Sequence, residues 1–182
     1  MSSPASMSTA LHAVAPLEGD AIWFNGALQN IKLPGEWSEE ALSLVEVTST
    51  QGRATGLHSD PSHEIFYILD GELLFHVDGE EHAARAGETV AIRKGVPHAF
   101  LIVSQTARFL VMNTPGTQDR FFRAGGEPAH NREFADAPPP NRERTAAAAQ
   151  EYGVTFLGPP PFADDAVRRS AAEARPATAR GG

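Results

Sequence analysis

Cysteine is absent from this chain of 182 residues. Disulfides, thiolate metal sites and cysteine nucleophiles are therefore excluded, and any metal must be held by His, Asp, Glu or water. Basic residues are in the minority: 15 Lys and Arg against 23 Asp and Glu leave a net charge of -8. That balance argues against a general nucleic-acid partner and against an anionic membrane surface. No apolar run approaches the length of a membrane-spanning helix. The opening MSSPASMSTALHAVAP has no basic stretch ahead of an apolar one, so no secretory signal is expected and a cytoplasmic location is.

What is present is a train of short apolar or alternating runs between Asp20 and Pro115: AIWF, ALSLVEVT, EIFYILD, ELLFHVD, TVAIR, HAFLIV and RFLVMN. Turn signals separate them, including LPGE, TQG, two Asp-Gly pairs, KGVP and TPG. Many short strands at this spacing, with no helical period between them, predict an all-β antiparallel sandwich or barrel. Asp78-Gly79 is a strong two-residue hairpin signal. After Pro115 the texture changes. GTQDRFFRAGG predicts a short helix over 116–126, and NRERTAAAAQEY a second over 141–152, capped by Asn141 and stopped by Gly153. GVTFLGPPPF reads as extended. The expected organisation is a flexible lead over 1–18, a barrel over 19–126, a loop, helix and extended segment packing on it over 127–162, and a loose tail over 163–182. No internal repeat is found, so one barrel is expected rather than two.

The chemistry-bearing residues cluster in GRATGLHSDPSHEIFYILDG. Strand neighbours two apart share a face, so His58 and Asp60 point together, and Glu64, Phe66 and Ile68 line one face of the next strand. His98 arrives from far along the chain, after the turn KGVP and at the start of HAFLIV, where a rigid scaffold can aim a side chain inward. Imidazoles with carboxylates and no thiolate suit one divalent transition metal, Fe, Ni, Mn, Co or Zn. His63 neighbours Glu64, points to the opposite face and is expected at the surface or supporting the site. His12, His76, His82 and His130 are expected to be structural or exposed; of these, His76 lies on a strand that could face the cavity. Phe66, Ile68, Phe75, Phe100 and Phe109 are expected in the core, and Phe121 and Phe122 as a lid or a satellite cluster.

These residues also carry a resemblance to the cupin superfamily. Gly52, His58, Glu64 and Gly71 fall in register on that family's first motif, and Gly87, Gly95 and His98 on its second. By motif the resemblance covers roughly residues 40–115, and the flanks look like those of bacterial single-barrel proteins resembling quercetin dioxygenase. Three departures stand out: Asp60 replaces the family's second histidine, Arg93 a proline and Ile102 an asparagine. The resemblance implies a jelly-roll antiparallel β-barrel, here with short C-terminal helices, and a metal held by His58, Glu64 and His98. Asp60 leaves two alternatives. Its carboxylate takes the missing ligand position, or Pro61 turns it away and leaves three ligands. The resemblance further implies a dioxygenase acting on an aromatic or enolic, flavonol-like small molecule, with Glu64 as ligand and general base. A non-oxidative isomerase, cyclase or lyase, and a metal-free ligand-binding barrel, are the alternatives. A homodimer is expected, joined through the strand around Ile22–Phe24.

Overall fold

The computed structural model describes residues 10–16, 18–164 and 166. Alternation of inward and outward side chains produces two antiparallel sheets. The first has seven strands in the order β11-β1-β2-β3-β10-β5-β8. Its members are β1 (Asp20–Phe24), β2 (Ala27–Leu33), β3 (Ser43–Thr50), β5 (His63–Asp70), β8 (Thr89–Ile92), β10 (Thr106–Thr114) and the two-residue β11 (Glu127–Pro128). The second has five in the order β12-β4-β9-β6-β7: β4 (Leu57–Ser59), β6 (Glu72–Val77), β7 (Glu80–Arg85), β9 (His98–Ile102) and β12 (Thr155–Gly158). This is the expected jelly-roll arrangement, with the ladders divided between two facing sheets.

The inner faces meet over phenylalanines. Phe66 on β5 packs edge-on against Phe75 on β6 at 5.0 Å between ring centroids and lies 5.9 Å from Phe100 on β9. Phe109 on β10 meets Phe100 at 5.5 Å. Phe66, Phe75 and Phe109 are buried, as are Ile68, Leu73 and Ile102 around them. On β5 the even positions Glu64, Phe66 and Ile68 are buried while Tyr67 is exposed, as a two-residue period requires. Asp78 and Gly79 both have positive φ, 51° and 89°, the primed turn the Asp-Gly pair predicts. Gly71 has φ +83°, and a Cβ there would stand 2.6 Å from Ser104 Oγ and 2.8 Å from Ala107 Cα, so both the turn and the close approach require glycine.

Both predicted helices form, as α1 (Gln118–Gly125) and α2 (Arg142–Tyr152). The Asn141 side chain accepts from Arg144 N at 3.0 Å, and Gly153 closes α2 in the left-handed region. Phe121 and Phe122 pack edge-on against Phe24 at 5.1 and 5.3 Å. They seat α1 on the sheet as a satellite cluster, the second of the two expected arrangements, and not as a lid, because β1 offers an aromatic ring to bury them against. Strand β1 also lacks the free edge expected for a dimer: Ile22 and Trp23 pair with Pro128 and Glu127 of β11. Most of the lead expected over 1–18, and nearly all of the tail over 163–182, lie outside the described residues. Within the lead, His12 Nε2 meets Lys32 O at 2.8 Å, and Lys32 Nζ donates to Ala15 O and Glu18 O. Ala166 is buried against Leu74, Leu101 and Val103.

Candidate metal centre

Strand register assembles the site. His58 on β4 and His98 on β9 are direct antiparallel partners, which brings their rings to 4.3 Å. Glu64 on β5 lies across from Asn113 of β10. Asp60 stands in the connection between β4 and β5, whose backbone is tied to the second motif: Gly95 N donates to Asp60 O at 2.8 Å. One ligand atom from each of His58, Asp60, Glu64 and His98 can be chosen so that all four lie within 4.8 Å of one another. The turned-away alternative for Asp60 is not what the chain adopts. Its side chain is buried, with Oδ2 3.3 Å from His58 Nε2 and 3.5 Å from His98 Nε2.

Hydrogen bonding decides which ring nitrogens face inward. His58 Nδ1 lies 2.8 Å from Gly56 O and His98 Nδ1 2.9 Å from Val96 O. A carbonyl only accepts, so each Nδ1 carries a proton and, in the neutral ring, each Nε2 presents a lone pair. His98 Nε2 is 2.7 Å from Glu64 Oε2. Two lone pairs at that distance repel, so a proton or a cation must stand between them. Asp60 Oδ2 is buried without a hydrogen bond. Two imidazoles oriented through Nδ1, one carboxylate facing them and another with a free oxygen are the donor set a divalent ion takes. The residues fit a metal.

In the metal-free protein a proton on His58, whose Nε2 faces Asp60 Oδ2, offsets part of the negative charge and gives that oxygen the donor it lacks beside a neutral ring. Burial acts to lower the His58 pKa, but the close Asp60 carboxylate, then Glu64 and the Gly56 carbonyl outweigh it and hold the imidazolium above its ordinary 6.5. A folded pKa above the unfolded one makes this contribution to stability complete below pH 6.5. It is lost as pH rises through the folded value. A metal competes with the same proton, so its binding strengthens over that window.

Neighbouring side chains extend the site beyond the four expected residues. Asn113 Nδ2 donates to Glu64 Oε1 at 3.0 Å, and Gln118 Nε2 donates to Asp60 Oδ1. Asn113 was visible as a polar residue in the inward register of β10, after Ala107, Phe109 and Val111. Nothing local to Gln118 marks it. His63 faces away from the cluster and its Nδ1 accepts from Lys94 N at 3.3 Å, which ties down the turn before β9. His76 does not join the site; its ring packs against Phe162. Phe156 of β12 pairs with His58, stands 6.4 Å from its ring and is 46% exposed. The surface depressions beside Trp23 and Pro128, of about 500 Å³, and beside Asp20 and Arg123, of about 200 Å³, share no residue with the site.

Comparison with known proteins agrees with this architecture. The family model described as Cupin domain matches residues 45–113. Quercetin 2,3-dioxygenase of Bacillus subtilis strain 168 is 24% identical over 122 residues, 66% of this chain and 36% of that protein. The HTH-type transcriptional regulator PuuR of Escherichia coli K12 is 31% identical over 78 residues, 42% of each chain. The chain thus spans well under half the length of these curated relatives. Among solved structures, a protein described as a predicted oxalate decarboxylase from Thermotoga maritima superimposes with a TM-score of 0.52 at 22% identity, over 56% of this chain and 97% of that one. An RmlC-like cupin from Shewanella frigidimarina gives 0.50 at 17% identity, over 58% and 93%. At such identities the structures speak for the fold alone. Residues 45–113 are a cupin domain, and the two-sheet jelly roll built on them is a cupin fold.

Proposed function

We propose that the chain is a metal-dependent cupin enzyme, a dioxygenase acting on an aromatic or enolic small molecule of the flavonol kind. One observation carries the metal: a buried Asp60 oxygen without a hydrogen bond, beside two imidazole Nε2 atoms and Glu64. His58, Asp60, Glu64 and His98 would hold the ion. When bound, it supplies Lewis acidity and, if redox-active, electron transfer with dioxygen. The protein's own groups do the rest. Asn113 holds Glu64 Oε1, which leaves Oε2 as the oxygen that accepts a substrate hydroxyl proton. His58 is the most accessible of the four, its side chain 13% exposed, so substrate approaches from that side. There the exposed ring of Phe156 offers a flat apolar face to an aromatic substrate. The similarity to a quercetin dioxygenase supports the substrate class. The reading includes a homodimer.

Oxygen-electrode assays test it. Protein loaded in turn with Fe(II), Ni(II), Mn(II) or Co(II) is expected to consume oxygen in step with loss of a flavonol. No uptake with any flavonol or other enolic compound, for any metal, would remove the oxygenase assignment. The second carboxylate favours one other reading. Two negative charges offset a 2+ ion and suit a redox-inert Lewis acid, so a non-oxidative isomerase, cyclase or lyase would turn over equally well without oxygen.

A further inference from the structure

We propose that Gln118 is a positioning residue for metal binding, holding the Asp60 carboxylate so that Oδ2 meets the point shared by His58, Glu64 and His98. The inference rests on the metal-centre reading above. Asp60 lies outside any strand, so no ladder fixes its side chain. Its rotation is instead stopped by Gln118, the first residue of α1, whose Nε2 donates to Oδ1. A carboxylate only accepts, so the amide must turn its nitrogen towards Asp60. With Oδ1 occupied, Oδ2 remains without a hydrogen bond beside both Nε2 atoms.

The segment leading into α1 is fixed at two places. Ser62 Oγ of the β4–β5 connection donates to Pro115 O at 2.8 Å, and Gly116 N donates to Glu40 O, in the segment before β3, at 2.8 Å. A side chain at 116 would collide with the backbone of Leu42, so glycine lets this segment sit flush. Gln118 is 1% exposed, and its Oε1 has no hydrogen bond. A buried amide oxygen without a partner costs stability, and an apolar side chain of similar length would fill the space without that cost. The polar group is retained at a loss, and the bond to Asp60 is what it provides.

A double-mutant cycle tests the pair. Metal-free wild type, Gln118→Met, Asp60→Asn and the double variant are titrated with Co(II) by calorimetry, and the visible Co(II) absorption band of each is recorded. Gln118→Met is expected to weaken Co(II) binding roughly 10- to 100-fold and to change the band. In the Asp60→Asn background, where position 60 no longer supplies an anionic oxygen, the same substitution is expected to add less than about twofold. Equal losses in both backgrounds would make Gln118 a packing residue and overturn the proposal. So would wild-type affinity and spectrum in Gln118→Met, with the metal-centre reading left standing. No Co(II) binding by wild type overturns both. Should Gln118→Met fail to fold, Gln118→Leu, which likewise removes the donor to Asp60 Oδ1 and adds no charge, carries the same cycle with the same expected losses.

Discussion

Replacing His98 with alanine is expected to abolish divalent-metal binding and to destabilise the metal-free protein by about 3–5 kcal/mol. His98 is 2% exposed and contacts both acidic members of the cluster, at 2.7 Å from Glu64 and 3.5 Å from Asp60. Its loss leaves two buried carboxylates facing a void. In a domain of this size the melting temperature should drop by on the order of 10 °C, read by calorimetry on metal-free protein. His98→Gln separates the two effects. It fills most of the space and can still hydrogen-bond to Glu64, so stability should largely return while metal binding does not. Undiminished metal affinity in either variant would show that the ion sits elsewhere.

The second large effect concerns what holds the site in place. Phe66→Ala is expected to cost about 3–5 kcal/mol, because the ring is 2% exposed and packs between Phe75, Phe100 and Phe109 where the two sheets meet. The neighbouring Tyr67→Ala should stay within about 0.5 kcal/mol, since Tyr67 is 44% exposed on the other face of β5. The contrast between consecutive residues tests the register that aims Glu64 inward. A one-residue slip would exchange the two results and carry Glu64 to the outer face. Chemical denaturation of both variants checks it.

The parts legible in the sequence were those written at short range. EIFYILD and RFLVMN are short apolar runs bounded by polar residues and turn signals and form most of β5 and β10, and Asn141 and Gly153 bracket α2 as cap residues do. Strand β2 was harder to see, since ALQNIKL places Gln29, Asn30 and Lys32 where alternation would call for fewer polar groups. The two-residue β11 depends wholly on tertiary contact with β1. In the site, His58, Glu64 and His98 stood out through their spacing and their kinship with known motifs. The orientation of Asp60 did not, because Pro61 and a short loop allow either direction and the deciding partner lies 58 positions away. Gln118 is likewise brought in by the docking of α1, which no local window contains, whereas Asn113 carries the signal of its inward register on β10. The choice between lid and satellite cluster for Phe121 and Phe122 was closed to the sequence for the same reason: their partner is Phe24, nearly a hundred residues earlier by sequence.

The central claim is that His58, Asp60, Glu64 and His98 hold one divalent ion, and calorimetric titration of the metal-free chain with Mn(II) and Co(II) at pH 6 and pH 8 tests it most directly. The account predicts one ion bound per chain and reversed by a chelator. Binding should be tighter at pH 8, where His58, its pKa held above 6.5, has given up more of its proton. No saturable binding at either pH, or one-to-one binding unchanged in Glu64→Gln and His98→Ala, would contradict it.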